Sequence, residues 1–181
     1  MKHAANREFY SYWEEKRAGG AAPERSDFEP GHVRHLLGDI FVLSYDTRAG
    51  HPFRVAGTRL CALLGQDLKG QTFTDLFGNE SRREIEDIIG IVVEETQPTV
   101  AGVTAEMPDR TQVQFELLLL PFSARSHTPL SLTGLLAPFD TTHLYGSLGA
   151  FSLTSWRHIE RPRALRKWSI IRGLTVYEGL R

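Results

Sequence analysis

The chain has 181 residues, 41% of them apolar and 24% charged, with a formal net charge of −1. That length suits one domain with extensions, and that balance belongs to a globular chain rather than a disordered one. A single cysteine, Cys61, excludes an intramolecular disulfide framework and a multi-cysteine zinc site. The apolar runs around Ile88–Val93 and Leu117–Leu120 fall far short of the roughly 18 residues a membrane-spanning helix needs. The N-terminus is polar and has no apolar signal core, so a cytoplasmic location is expected. Charge is uneven. Residues 155–181 carry seven basic and two acidic side chains, and the rest of the chain carries fourteen basic and twenty acidic. An acidic body is followed by a basic tail.

In chain order, residues 4–17 read as a helix with Phe9, Tyr12, Trp13 and Lys16 at i, i+3, i+4 and i+7. Gly19 and Gly20 end it. A connector over 23–27 leads to a short helix expected from Pro30 to Gly38. The period then changes to two. Asp39–Asp46 and Phe53–Gly57 read as strands, with Phe53, Val55 and Gly57 on one face and Arg54 on the other. Thr58 is the expected cap of a short helix over 59–64, closed by Gly65. The clearest helix starts at Ser81, where Ser81 and Glu84 match a capping box. Ile85, Ile88, Ile89, Val92 and Val93 give it one apolar face, and Pro98 ends it. Three strands follow, over 99–106, 111–122 and 130–139. Beyond them, Arg163–Arg172 is read as a short amphipathic helix with Leu165, Trp168 and Ile171 at spacings of three.

This order resembles a PAS domain, and within that superfamily the proteobacterial single-PAS family with an N-terminal helix. The residues carrying the resemblance are Tyr12-Trp13 with Arg17, Pro23-x-Arg25 with Asp27, Phe53-Arg-Val-Ala-Gly-Thr58 and Gly65-x-Asp67-Leu68-x-Gly70. The resemblance implies an α+β fold: a five-stranded antiparallel sheet covered by helices. It implies a helical extension over 1–38, a PAS core over 39–140 and a basic C-terminal tail over 141–181. It further implies a bacterial signalling role, by binding a small molecule, docking a protein or both, without chemistry of its own.

The expected interior is lined by Phe41, Leu43, Val55, Leu60, Ile85, Ile89, Val92, Val113, Phe115 and Leu117. Ile40 and Val42 could exchange with Phe41 and Leu43, because a one-residue register change flips a strand. Of this set, Phe41, Leu43, Val55, Leu60, Ile89, Val92, Phe115 and Leu117 are the candidate ligand-binding residues. The sequence names no cofactor. Light-sensing flavin PAS domains place Asn before and Arg after their reactive cysteine, whereas Leu60 and Ala62 flank Cys61. That argues against covalently linked flavin. Haem-binding PAS domains use a histidine on or near the long helix, and residues 81–96 contain none. His32 and His35 sit three apart but lack a third ligand, so no metal site is expected. No G-x-S-x-G, P-loop or G-x-G-x-x-G occurs, and the chain reads as a non-enzyme.

Phe9 and Trp13 form an aromatic stripe, either packing on their own sheet or making a homodimer seam. Arg54 is placed on the outer sheet face, as an ion-pair partner for Glu116 or a holder of an acidic group. Arg166, Lys167 and Trp168 suit an acidic surface. Contact with a protein, self or partner, is favoured over nucleic acid or membrane because the body carries complementary charge. The alternative to a sensor is therefore an adaptor whose PAS core is only a scaffold and whose basic tail does the binding.

Overall fold

The computed structural model describes residues 1–123, 129–140 and 148–159 in full, and the backbone of 165–171 and 174–179. Helix α1 spans Ala4–Lys16, with the His3 side chain accepting from the Ala5 N–H at its start. The helix expected from Pro30 is a single 3-10 turn, Pro30–Val33. Gly31 and Val33 are both poor helix formers, and Pro30 fixes only the first position. Strands β1 (Ile40–Ser44) and β2 (Phe53–Ala56) follow, then helix α2 (Thr58–Leu64). Gly57, not Thr58, occupies the cap of α2. A side chain at Gly57 would strike the Gly38 carbonyl oxygen at 2.2 Å, so the residue permits the closest backbone approach in this corner. Gly65 closes α2 in the left-handed conformation, as expected.

Helix α3 spans Asn79–Glu94 and begins two residues before the expected start. The Ser81–Glu84 capping box does not form. Ser81 Oγ accepts from the Leu153 N–H at 2.9 Å, and Glu84 Oε1 accepts from Trp156 Nε1 at 2.6 Å. Strands β3 (Thr99–Glu106), β4 (Gln112–Pro121) and β5 (Ser131–Pro138) come next. A sixth strand, β6 (Ser152–His158), was not expected. It pairs antiparallel with β3, and its Leu153 backbone N–H and Trp156 indole N–H supply the two bonds that take Ser81 and Glu84. The sheet therefore has six strands in the order β2-β1-β5-β4-β3-β6 rather than five.

The amphipathic helix expected over Arg163–Arg172 is also corrected. Leu165–Ile171 is strand β7, paired antiparallel with β8 (Leu174–Gly179). Ile170, Ile171, Thr175, Val176 and Tyr177 are β-branched or aromatic, and that composition favours a strand pair over a helix.

Both faces of β4 are covered along Leu117–Leu120, which explains that unbroken apolar run. Leu117 and Leu119 join Phe41, Leu43, Ile85, Ile89, Val92, Val113 and Phe115 in one core under α2 and α3. Leu118 and Leu120 join Phe9, Trp13, Ile40 and Leu135 in a second core under α1. Val55 is the exception in the expected interior and is 48% exposed. A bulge between Val42 and Leu43 shifts the β1–β2 register. Phe53 and Ala56 then face the helices, while Val55 pairs with Val42 on the other side.

Candidate functional site

The interior between the sheet and α2 and α3 is the place where this fold would hold a small molecule. Aromatic rings fill it. Phe41 stacks on Phe73 at 5.4 Å and meets Phe53 edge-on at 5.7 Å. Phe73 contacts Phe77, Phe77 contacts Phe151, and Phe151 meets Phe115 edge-on at 5.4 Å. Tilted and edge-on ring pairs each add about 0.5–1.5 kcal/mol beyond burial.

Among the described residues, the cavity in this interior is about 10 Å³ and is lined by Phe41, Phe53, Leu60, Phe73, Leu117 and Phe151 among other apolar residues. That is about the least volume a single water can occupy, and sites for small ligands run to roughly 300 Å³ or more. Phe41, Leu60 and Leu117 of the candidate ligand-binding set reach this cavity. Leu43, Ile89, Val92 and Phe115 are in the same core but do not line it, and Val55 is outside. Phe73, Phe77 and Phe151 were missed. The Phe73-x-x-Leu76-Phe77 spacing, three and four around a 3-10 turn, is the signal that could have found the first two.

The polar candidates are dispersed. Phe9 and Trp13 are 0% and 1% exposed on their own sheet, and Trp13 Nε1 donates to the Pro121 carbonyl at 2.9 Å. Arg54 is exposed on β2 and has no ion-pair partner among the described residues. Glu116 is not its partner, because that buried carboxylate accepts from the Lys2 and His3 N–H groups. Arg59 pairs with Asp39 instead and reaches the His35 carbonyl at 2.6 Å. His32 pairs with Glu29 and His35 with Glu8. Cys61 is half-buried and packs against the interior core. Arg166, Lys167 and Trp168 lie on β7, where their side chains fall outside the described residues. No group of three or more metal-ligating side chains occurs among the described residues. No helix among them is long and apolar enough to cross a membrane.

A wide cleft of about 640 Å³ lies between α3 and the β1–β2 connection, walled by Glu86, Asp87, Glu94 and Glu95. The Tyr45 hydroxyl donates to Glu94, and this bond pushes the phenol up to about 12. His51 is 1% exposed and stacks on Tyr45 at 5.2 Å. Burial holds its imidazole below the ordinary value, with Asp46 opposing.

No curated protein matches the chain in sequence. Among solved structures, a light-oxygen-voltage domain studied with a flavin analogue is 11% identical. The likeness covers 63% of this chain and 86% of that one, with a TM-score of 0.47. The Rhodobacter sphaeroides LOV protein is 10% identical over 64% and 71% of the two chains, with a TM-score of 0.46. The PAS domain of an HTR-like protein from Haloarcula marismortui is 18% identical over 74% and 99%, with a TM-score of 0.41. The assignment rests on sequence: the family model described as PAS domain matches residues 1–137, well over half the chain, and the chain belongs to the PAS domain family.

Proposed function

We propose that this is a non-catalytic PAS regulatory protein whose core is a packed scaffold and whose recognition takes place on its surfaces. Membership of the PAS family gives the broad role, signalling or ligand binding. The observation that carries the narrower reading is the phenylalanine-filled interior with its cavity of about 10 Å³. Of the two readings open in the sequence, it favours the scaffold over the sensor that holds a ligand inside. The docking groups on this reading are Arg54 and the basic segment with Arg166, Lys167 and Trp168. They suit an acidic partner protein. With Phe9 and Trp13 packed on their own sheet, α1 acts within its subunit.

Native mass spectrometry of the full chain tests this. The expected mass is that of the bare polypeptide. A stoichiometric co-purifying molecule whose NMR contacts reach the Phe41, Phe53 and Phe73 rings would overturn the scaffold reading.

A further inference from the structure

The outer face of the sheet opens into a groove of about 340 Å³, the size of a small-ligand site. Helix α1 packs over β4 and β5 on this face. Gly102 and Thr104 of β3, and Ser155 and Arg157 of β6, stay half-buried or exposed. Met1 and Lys2 form one wall and β6 the other.

The groove gathers hydrogen-bond donors. The β3–β6 register slips between Gly102 and Val103, so Thr154 is an extra residue in β6. A bulge re-aims side chains, and here it brings two consecutive hydroxyls together. A Cβ on Gly102 would lie 2.8 Å from Thr154 Oγ1 and 3.0 Å from Ser155 Oγ. Both hydroxyls therefore lean over the space that the missing side chain leaves. Lys2 and Arg157 line the same groove, and both are exposed with no side-chain ion pair among the described residues.

One carboxylate, Glu116, also lines it. Its oxygens already accept from the Lys2 N–H, the His3 N–H and the Asn6 amide. These donors offset its charge, and the Lys2 and Arg157 side chains share the groove with it, without an ion pair among the described residues. Apolar side chains also line the groove: Met1, Phe139, which is 46% exposed, and Val100, which is 6% exposed.

We propose that this groove binds a small organic carboxylate. Arg157 and Lys2 attract the carboxylate, the guanidinium matching its planar geometry, and the Thr154 and Ser155 hydroxyls donate to it. Met1 and Phe139 take the apolar body. The site is on the face opposite the phenylalanine core, so it stands or falls independently of what fills the interior.

The test is an amide NMR titration of the full chain with benzoate, with benzyl alcohol and inorganic phosphate for comparison. Benzoate is expected to give saturable shifts at Gly102, Thr154, Ser155 and Arg157, with a Kd of about 1 mM or tighter. Arg157→Gln is expected to weaken it by about fivefold or more through loss of a charge-assisted bond. Gly102→Val fills the cradle and is expected to abolish binding. Thermal melts check that both variants fold, and Arg157→Gln, at an exposed position, keeps the test valid if Gly102→Val does not. Absence of saturable benzoate shifts overturns the proposal. So does equal affinity in the wild type and Arg157→Gln. Benzyl alcohol binding as tightly as benzoate removes the role of the anion. Phosphate binding as tightly removes the role of the apolar body.

Discussion

Asn6 on α1 and Glu116 on β4 are joined twice: the Asn6 amide donates to the Glu116 carbonyl oxygen at 3.0 Å and to its carboxylate at 3.1 Å. Both residues are buried, at 0% and 5% exposed. The same carboxylate takes the Lys2 and His3 N–H groups, so one side chain fixes the start of α1 to the sheet. Glu116→Ala removes the acceptor and leaves these donors without it. A loss of about 1–3 kcal/mol in urea unfolding is expected, because the part-buried Lys2 and His3 N–H groups and the buried Asn6 amide lose a charged acceptor. An unchanged midpoint would show that α1 is held by its apolar face alone.

Ile89 and Val55 were both expected in the interior and lie at opposite extremes, 0% and 48% exposed. Ile89→Ala is expected to cost about 2–5 kcal/mol, by lost burial and a residual cavity. Val55→Ala is expected to stay within about 0.5 kcal/mol, as at an ordinary surface position. Similar losses at both sites would contradict the bulge that turns Val55 outward.

That contrast shows where the sequence was legible. The face of α3 could be read because helical periodicity is local: Ile85, Ile88, Ile89, Val92 and Val93 are all buried. The phase of β2 could not, because the bulge depends on pairing with β1 and leaves no trace in a four-residue strand. Ser81 and Glu84 have the spacing of a capping box, yet their bonds go to a strand about 70 residues later. Local pattern cannot see that competitor. β6 itself was hidden for the same reason. Six of its residues carry polar groups or lie exposed, and it is a strand only because β3 offers it an edge. The filled interior was only partly legible: Phe73, Leu76 and Phe77 leave a spacing of three and four, and Phe151 leaves no local signal. The expected lining residues were mostly placed correctly, but Phe73, Phe77 and Phe151, which close the space, come from loops.

Trp13 separates the two readings of the aromatic stripe. It is 1% exposed and donates to the Pro121 carbonyl within its own chain. Trp13→Ala is expected to cost about 3–5 kcal/mol in stability. Analytical ultracentrifugation should show the same oligomeric state for the variant and the wild type. A dimer that dissociates on this substitution would assign the stripe to a seam between subunits.

His51 gives a pH dependence of known sign. Its Nδ1 accepts from the Asp46 N–H at 3.3 Å, a bond that needs an unprotonated nitrogen. Burial lowers its pKa, Asp46 opposes that shift, and the acidic cleft on α3 lies alongside. The unfolded chain therefore binds the proton more readily. The stabilisation is complete above the unfolded value of about 6.5 and is lost as pH falls through the lowered folded value. His51→Asn keeps a short polar side chain that tolerates the φ of 59°. The stability gap between wild type and variant is expected to be larger at pH about 7.5 than at about 5. An identical gap at both would remove His51 from the account.

Two truncations test the C-terminal segment. Phe151 is 1% exposed and contacts both Phe77 and Phe115, so it belongs to the interior core. β6 pairs along β3, and the Ile159 N–H closes the ladder on the Pro98 carbonyl at 2.7 Å. Ending the chain at Gly149 removes all of this. The loss of Phe151 alone should cost about 3–5 kcal/mol, and β3 becomes an open edge prone to association. Ending it at Ile159 keeps the six-stranded sheet and removes the segment with Arg166, Lys167 and Trp168. Its stability is expected within about 1 kcal/mol of the full chain. Recovery of an acidic partner by this shorter chain should fall, because the basic segment is the proposed contact. Full partner recovery after ending at Ile159 would move the docking surface onto the PAS core, with Arg54 the next residue to replace.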